Sequence, residues 1–221
     1  MTGRRAPRTY RGTRLKPLAQ CRLYTFIDTA YLGSRSAATV ARQLCDGGSD
    51  LIQLRAKGAP PETITRLAEE ILPVLRQASV GLVINDHPGL AQKLGADLCH
   101  LGQEDFFDAG WTSASQFTSL IGLSTHGPVQ AERSLAARPA YLAIGPVYAT
   151  PTKASAKPVT LDYVRWAAAR VSIPWFAIGG INLSNLDAVL EAGATRICAV
   201  SAILNASDPA SACRQFKRRL G

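Results

Sequence analysis

Short apolar segments alternate along the chain with longer segments suited to helices, beginning near Arg22. The apolar segments predict strands at 22–28, 51–56, 81–86, 98–102, 120–125, 141–147, 174–180 and 196–202. The segments between and after them predict helices at 35–47, 60–77, 88–95, 112–118, 128–137, 160–171, 184–192 and 208–219. The pattern is therefore eight strand–helix units in succession.

These units predict one parallel sheet covered by helices, because the strands are apolar almost throughout. Pro61 and Pro209 suit first helical turns, and Gly95 and Gly193 suit helix ends. Eight units favour a closed barrel over an open doubly wound sheet. No G-x-G-x-x-G follows the first strand, which disfavours a dinucleotide-binding fold. The predicted fold class is α/β, a single (β/α)8 TIM barrel over residues 21–221.

Composition supports one globular domain and gives no sign of a membrane or disulfide protein. The chain has 221 residues, of which 47% are hydrophobic and 19% charged. No run of about 18 apolar residues is present, so we expect no membrane partner. The five cysteines are scattered without C-x-x-C spacing, which indicates free thiols in a reducing compartment. We expect a cytoplasmic protein.

The basic character of the chain is concentrated in residues 1–20, which hold six arginine and lysine residues and no acid. Removing those six from the formal net charge of +9 leaves +3 for the rest of the chain. We predict a basic N-terminal tail that is disordered or loosely docked. A transit peptide is the weaker alternative, since the segment is poor in serine. No aromatic and basic platform follows, so we expect no nucleic-acid partner.

In a barrel of parallel strands, polar residues at the carboxyl ends of the strands line one active-site mouth. In this chain these positions carry amides, carboxylates, hydroxyls, cations and glycines, which predicts a polar, charged ligand. They are Gln53, Arg55, Lys57, Asn85, Asp86, Gln103, Glu104, Asp105, Ser124, His126, Thr150, Thr152, Lys153, Gly179, Gly180 and Ser201.

Asp86 and Asp105 follow two consecutive predicted strands. Because neighbouring strands lie ~4.8 Å apart, the two carboxylates could share one hard cation. Mg²⁺ typically takes one or two carboxylates and completes its shell with water and phosphate oxygens. Arg55 and Lys57, on the preceding strand, would suit a metal–diphosphate complex. The alternative is a salt-bridge network among these four side chains, and spacing alone does not decide between the two.

A second anion site is predicted from the loops after the last three strands. Thr150, Thr152 and Lys153 place two hydroxyls and an ammonium in a proline-containing loop, and the stretch 148–158 is interpreted as a lid. Gly180 and Ser201 lie where barrels frequently bind phosphate through backbone N–H groups.

The three histidines do not form a metal-ligand set, and no Ser/His/Asp arrangement is compelling. His100 lies inside a predicted strand and is interpreted as a hydrogen-bonded core residue. His126 lies at the mouth and is the best histidine candidate for proton transfer. Tyr24 and Tyr148 are interpreted as packing residues that could also border a ring pocket.

Seven short motifs in this order closely resemble those of the thiamine phosphate synthase (thiamine-phosphate pyrophosphorylase) family. They are QLRAK at 53–57, IND at 84–86, HLGQED at 100–105, GLSTH at 122–126, GPVYATPTK at 145–153, AIGGI at 177–181 and AVSAI at 199–203. The resemblance covers residues ~22 to ~216. It implies a transferase that joins hydroxymethylpyrimidine diphosphate to a thiazole phosphate and releases diphosphate, through a dissociative pyrimidine-cation mechanism.

The resemblance also implies roles for individual residues. Gln53 would hold the pyrimidine, and Asp86 and Asp105 would hold Mg²⁺. The diphosphate would contact Arg55, Lys57, Asn85 and Lys153. The thiazole phosphate would contact Thr150, Thr152, Gly180 and Ser201. The residues expected to act in catalysis are Lys57, Ser124 and Lys153.

Four departures from the family pattern limit what the resemblance implies about rate and lid geometry. They are Ala56 in place of an acid, His87-Pro88-Gly89 in place of Arg-Val-Asp, Ala149 in place of a proline, and the absence of a clear glycine in PVTLDYV at 158–164. Two alternatives stay open, a thiazole tautomerase of the same family and a non-catalytic sensor of a phosphate ligand. The sequence also leaves the oligomeric state open, with a homo-oligomer as one outcome.

Overall fold

The computed structural model describes residues 16–150, 152 and 157–221, and eight strands close there into a parallel barrel in sequence order. The strands are β1 (Leu23–Asp28), β2 (Leu51–Arg55), β3 (Gly81–Asn85), β4 (Leu98–Leu101), β5 (Leu120–Thr125), β6 (Tyr141–Ile144), β7 (Trp175–Ala177) and β8 (Ile197–Cys198). The helices are α1 (Ala37–Asp46), α2 (Pro61–Gln77), α3 (Pro88–Leu94), α4 (Pro128–Ala136), α5 (Thr160–Arg170), α6 (Leu186–Glu191), α7 (Ser201–Leu204) and α8 (Pro209–Leu220). The predicted (β/α)8 barrel is confirmed.

The last strand returns to the first, where Leu23 pairs with Ile197. The helices cover the barrel through apolar faces, of which α2 gives the clearest example. Its buried residues recur at helical spacing, and they are Ile64, Leu67, Ala68, Ile71 and Leu75. This shell fixes the strands, so the loops at the carboxyl ends start from a rigid base.

The helix predicted at 112–118 is wrong. The chain forms a π-type turn at Glu104–Asp108 and then only a 3-10 turn at Ala114–Gln116. Gln116 Oε1 accepts a hydrogen bond from the Thr112 N–H at 3.0 Å. Such local bonds between polar side chains and the backbone compete with a regular helix.

The last three strands are shorter than predicted. β6, β7 and β8 end at Ile144, Ala177 and Cys198, whereas the predictions reached 147, 180 and 202. After β7, Gly179 and Gly180 have φ values of 101° and 66°, which take the chain out of the extended conformation. After β8, Ser201 begins the short helix α7 instead of ending a strand.

Asp50 organises the amino end of the barrel, at the start of β2. Its side chain accepts hydrogen bonds from Lys16 Nζ at 2.7 Å and Lys217 Nζ at 2.8 Å. It also accepts from the backbone N–H groups of Arg22 at 2.7 Å and Leu23 at 3.0 Å. One nearly buried carboxylate thus joins β1, α8 and the segment before the barrel.

The predicted tail extends over residues 1–20, and residues 1–15 lie outside the described part of the chain. Within the rest, Leu18–Gln20 form a 3-10 turn, and Lys16 contacts the barrel through Asp50. None of the helices in the described ranges combines the length and the apolar character that crossing a membrane requires.

Candidate active site

One cavity of about 330 Å³ opens at the carboxyl ends of the strands. It brings together eleven of the twelve residues predicted to form the site, and the twelfth, Lys153, lies outside the described residues. The eleven are Gln53, Arg55, Lys57, Asn85, Asp86, Asp105, Ser124, Thr150, Thr152, Gly180 and Ser201. The roles of the individual residues stay predictions.

The two predicted metal ligands follow β3 and β4. Burial, and secondly the nearby charge of Asp105, raise the pKa of the Asp86 carboxyl above its ordinary value. Asp86 has a positive φ of 61°, which is uncommon for a residue other than glycine. Asn85 Nδ2 donates to Asp86 Oδ2 at 2.5 Å, and the Gly102 N–H donates to Asp105 Oδ2 at 3.2 Å. Two carboxylates therefore share the rim with neutral donors.

The two cations at the end of β2 form no ion pair with these carboxylates, although the charge of Arg55 slightly offsets the raised pKa of Asp86. Arg55 forms its ion pair with Asp28, with 2.6 Å between Nη1 and Oδ2. Lys57 is exposed at the rim of the cavity. Among the ion pairs between described residues, none includes Asp86 or Asp105. The alternative of a salt-bridge network is thus not formed by those side chains.

A chain of hydrogen bonds crosses the barrel beneath the cavity, from Gln53 on β2 to Ser124 on β5. Gln53 Nε2 donates to the Tyr24 hydroxyl at 2.5 Å, which is 3.0 Å from the Tyr141 hydroxyl. Tyr141 lies 2.9 Å from His100 Nδ1, and His100 Nε2 lies 2.8 Å from Ser124 Oγ. Five side chains on five strands are thus joined.

The direction of this chain follows from its protons. Tyr24 is buried and already accepts from Gln53, so its own proton is satisfied by donation to Tyr141. With Tyr141 donating to Nδ1 of His100, the tautomer that completes the chain carries its proton on Nε2, which faces Ser124 Oγ.

Sequence reasoning correctly interpreted His100 as a hydrogen-bonded core residue but missed its pairing with Ser124. Tyr24 lies under the cavity, and Phe26, two residues along β1, is the aromatic residue that lines it. Alternation along β1 was the signal that could have identified both. Tyr148 packs its Cβ against Gly180 and does not line the cavity.

The predicted phosphate end is a tightly packed pair of loops after β6 and β7. A Cβ added at Gly180 would come within 2.6 Å of the Ala149 carbonyl oxygen, so only glycine fits there. Asn185 Nδ2 donates to the Gly180 carbonyl at 3.0 Å and fixes the loop. Thr152 Oγ1 lies 3.0 Å from the hydroxyl of Tyr31, a residue that the sequence did not single out.

His126 also lines the cavity, as predicted for a residue at the mouth. Its Nδ1 lies 2.5 Å from the Gly145 carbonyl oxygen, which can only accept, so that nitrogen carries the proton. Gln103, grouped with the mouth residues, is instead buried, and its amide donates to the Ser124 carbonyl at 2.6 Å.

The departure at 158–164 has a structural counterpart. Thr160 has a φ of 62°, in the left-handed region that favours glycine, although threonine is β-branched. The predicted lid at 148–158 lies partly outside the described residues. The backbone at its end therefore keeps a glycine-like conformation without a glycine.

Sequence comparison finds relatives that share one name. A sequence profile of the family described as thiamine monophosphate synthase matches residues 23–203. The thiamine-phosphate synthase of Thermus thermophilus is 47% identical over 175 residues, which cover 79% of this chain and 84% of that protein. The thiamine-phosphate synthase of Acidothermus cellulolyticus is 40% identical over 206 residues, 92% of this chain and 96% of that protein.

A solved structure agrees with the sequence relatives. The thiamine phosphate pyrophosphorylase from Pyrococcus furiosus superimposes with a TM-score of 0.80 at 25% identity, covering 92% of this chain and 96% of that chain. The profile spans most of the barrel, and these two relatives match over 84% and 96% of their own length. The chain therefore belongs to the thiamine monophosphate synthase family.

Proposed function

We propose that this protein is a thiamine phosphate synthase that joins hydroxymethylpyrimidine diphosphate to a thiazole phosphate. The observation that carries the proposal is one cavity with two different polar ends. A carboxylate pair and two cations lie at β2 to β4, and the Gly180 and Ser201 loops lie across the barrel at β7 and β8. The named relatives support the same activity.

The carboxylate pair fits a magnesium ion. Asp86 and Asp105 offer hard oxygen donors and form no ion pair within the described ranges. Burial, and secondly the charge of Asp105, raises the pKa of Asp86, so a cation bound there would favour its ionised form. Mg²⁺ held by these two residues would supply positive charge to the departing diphosphate. Arg55 and Lys57 would add charge from β2, with Asn85 as a neutral donor and Lys153 from the loop after β6.

The remaining residues would orient the two rings. Gln53 and the hydroxyl of Ser124, joined by the hydrogen-bonded chain beneath the cavity, would hold the pyrimidine. Thr150, Thr152 and the loops at Gly180 and Ser201 would hold the thiazole phosphate. Two anchored substrates then react at high effective concentration.

The chemistry needs no nucleophilic side chain. In the proposed dissociative path, the bond between the pyrimidine methylene carbon and the diphosphate oxygen breaks, and its electrons leave with the diphosphate. The thiazole nitrogen then gives its lone pair to the methylene carbon and forms the new C–N bond. The protein contributes charge stabilisation of the leaving group, which Arg55, Lys57 and Lys153 would provide.

The test is an assay of thiamine phosphate formation from the two substrates, with and without Mg²⁺. We expect product that depends on the metal, and strong loss of product in Asp105→Ala. No product at any metal concentration would overturn the synthase assignment, and undiminished product in Asp105→Ala would overturn the metal assignment alone. Isomerised thiazole phosphate formed without the pyrimidine substrate would instead identify a tautomerase.

A cytoplasmic location belongs to the same proposal. It is supported by the five cysteines, all of which are free and four of which are buried. Burial raises the pKa of the Cys99 thiol to about 12, so this residue on β4 behaves as a packing residue.

A further inference from the structure

Asp28 is a buried carboxylate beside the cavity that the proposed function does not use. It ends β1, directly opposite Arg55 in the parallel register of β1 and β2. Its side chain is 1% exposed, whereas that of Arg55 is 14% exposed and faces the cavity. A carboxylate this deeply buried needs partners, and Asp28 has one for each oxygen.

One carboxylate oxygen of Asp28 orients the guanidinium of Arg55. Oδ2 of Asp28 accepts from Nη1 of Arg55 at 2.6 Å, a short charge-assisted hydrogen bond. The guanidinium is planar and presents several N–H groups in a fixed fork, so fixing one arm fixes the direction of the others. Since Arg55 lines the cavity, the arm that Asp28 leaves free is available to an anion there.

The other carboxylate oxygen of Asp28 holds the turn that follows β1. Oδ1 of Asp28 accepts from the Ala30 N–H at 3.0 Å and caps the 3-10 turn Thr29–Tyr31. The hydroxyl of Tyr31 at the end of this turn lies 3.0 Å from Thr152 Oγ1. Arg35 also holds the turn, since its Nη2 donates to the Tyr31 carbonyl at 2.5 Å and to the Leu204 carbonyl at 2.9 Å.

We propose that Asp28 is a positioning residue that serves both ends of the site. It directs Arg55 toward the diphosphate and, through the turn Thr29–Tyr31, holds Tyr31 against Thr152 at the phosphate end. The inference rests on the proposed function and deepens it. Asp28 touches no substrate in this scheme and acts only through Arg55 and Tyr31.

A purely stabilising salt bridge is the competing explanation. Buried ion pairs are weak evidence for stability, because the cost of removing both charges from water offsets much of their attraction. A stabilising role would lower the stability of a variant without changing its affinity for either substrate. A positioning role predicts weaker binding of the ligands that Arg55 and Tyr31 serve, so binding experiments distinguish the two explanations.

The experiment compares Asp28→Asn with Asp50→Asn. The control removes a nearly buried carboxylate that also binds cationic side chains, at the opposite end of the barrel. Isothermal titration with inorganic diphosphate in the presence of Mg²⁺ measures the first link. We expect a dissociation constant about tenfold higher in Asp28→Asn and unchanged in Asp50→Asn.

Steady-state kinetics separate the two links. Asp28→Asn should raise KM for the pyrimidine diphosphate by about tenfold. Tyr31→Phe should raise KM for the thiazole phosphate by roughly threefold, the loss expected when one hydrogen bond between neutral groups is removed. It should leave KM for the pyrimidine diphosphate unchanged. In an Arg55→Gln background, Asp28→Asn should add less than about twofold to the diphosphate dissociation constant, because its partner is already lost.

Several outcomes would overturn the inference. These are a diphosphate affinity in Asp28→Asn equal to that of the wild type, additive effects of Asp28→Asn and Arg55→Gln, or weakened affinity in Asp50→Asn as well. If Asp28→Asn does not fold, Arg55→Lys replaces it. Lysine keeps the charge but has no second arm, so unchanged diphosphate affinity there counts against the inference. Wild type that binds magnesium diphosphate but forms no thiamine phosphate refutes the proposed function alone, and the titrations still decide the role of Asp28.

Discussion

Two carboxylates at opposite ends of the barrel, Asp50 and Asp86, have their pKa values shifted in opposite directions. At the amino end, burial alone would raise the pKa of Asp50, but hydrogen bonds from Lys16, Lys217 and two backbone N–H groups outweigh it and hold the pKa below its ordinary value. At the carboxyl end, burial and the charge of Asp105 raise the pKa of Asp86, and the amide of Asn85 only partly compensates.

The difference distinguishes a carboxylate that the fold itself satisfies from one that it leaves for a ligand. Asp50 is fully satisfied by the chain itself, so ionising it favours the fold. Asp86 is ionised at a cost to the fold, and its positive φ adds strain. Such unfavourable arrangements cluster where a ligand supplies the missing partner, as the carboxyl ends of barrel strands usually do.

The largest effect is expected for Asp86→Asn. Losing one of two proposed metal carboxylates should reduce kcat/KM by about 10²- to 10³-fold. The same change should raise the melting temperature slightly in metal-free buffer, because a raised pKa means that the ionised form is disfavoured in the fold. That penalty is absent below the unfolded pKa near 4 and complete above the raised value, so it applies at neutral pH.

Activity assays and thermal unfolding of the same preparation check both parts. Asparagine tolerates the left-handed backbone of this position, so a folding defect is not expected. A variant that lost both activity and stability would show that Asp86 stabilises the barrel, and the contrast between the two ends would fail.

Asp50→Asn should act in the opposite sense. Breaking the cluster leaves two ammonium groups facing a neutral amide, which should cost about 3 kcal/mol of unfolding free energy. Catalytic activity per folded molecule should match the wild type, because Asp50 lies at the other end of the barrel. Denaturant unfolding at neutral pH measures the loss.

The pH dependence gives this prediction its sign. A carboxyl whose folded pKa is depressed contributes stability above its unfolded pKa, and that contribution disappears as the pH falls through the folded value. The difference between wild type and Asp50→Asn should therefore be complete at neutral pH and should shrink below about pH 4. A difference that stayed constant down to pH 2 would mean that the carboxylate charge is not the cause.

Sequence patterns were sufficient for the barrel and for the composition of its mouth. Both depend on local rules, since apolar strands alternate with helices and parallel strands end at one edge. The helix predicted at 112–118 failed because polar side chains there bind the local backbone. Helix propensity alone does not tell whether a backbone N–H will bond to a helical carbonyl or to a nearby polar side chain.

Contacts across the barrel could not be predicted in the same way. Asp28 meets Arg55 because the register pairs the ends of β1 and β2, and Tyr141 meets Tyr24 and His100 because closure of the sheet turns β1, β4 and β6 toward one interior. The register of the strands sets these distances, and no spacing within one strand encodes them. The members of the site were therefore predictable, whereas the hydrogen bonds and ion pairs among them were not.

Tyr141→Phe tests the interior between the two ends. Without the Tyr141 hydroxyl, Tyr24 and His100 each lose a hydrogen-bond partner, which should cost about 2 kcal/mol of stability. Ser124 should also be held less firmly through His100, so we expect a fall in kcat of about tenfold. Unfolding and steady-state kinetics measure the two effects. Loss of stability with full kcat would show that the chain supports the core but not the site.

The smallest effect is expected at the start of the described chain. Lys16 and Lys217 both bind Asp50, but the side chain of Lys16 is 39% exposed and that of Lys217 is 26% exposed. Solvent screens the more exposed pair, so Lys16→Ala should cost about 0.5 kcal/mol, less than Lys217→Ala. Urea unfolding of the full chain compares the two variants at low and high salt. A loss in Lys16→Ala as large as that in Asp50→Asn would mean that Lys16 carries the amino-end cluster and that the barrel begins before residue 21.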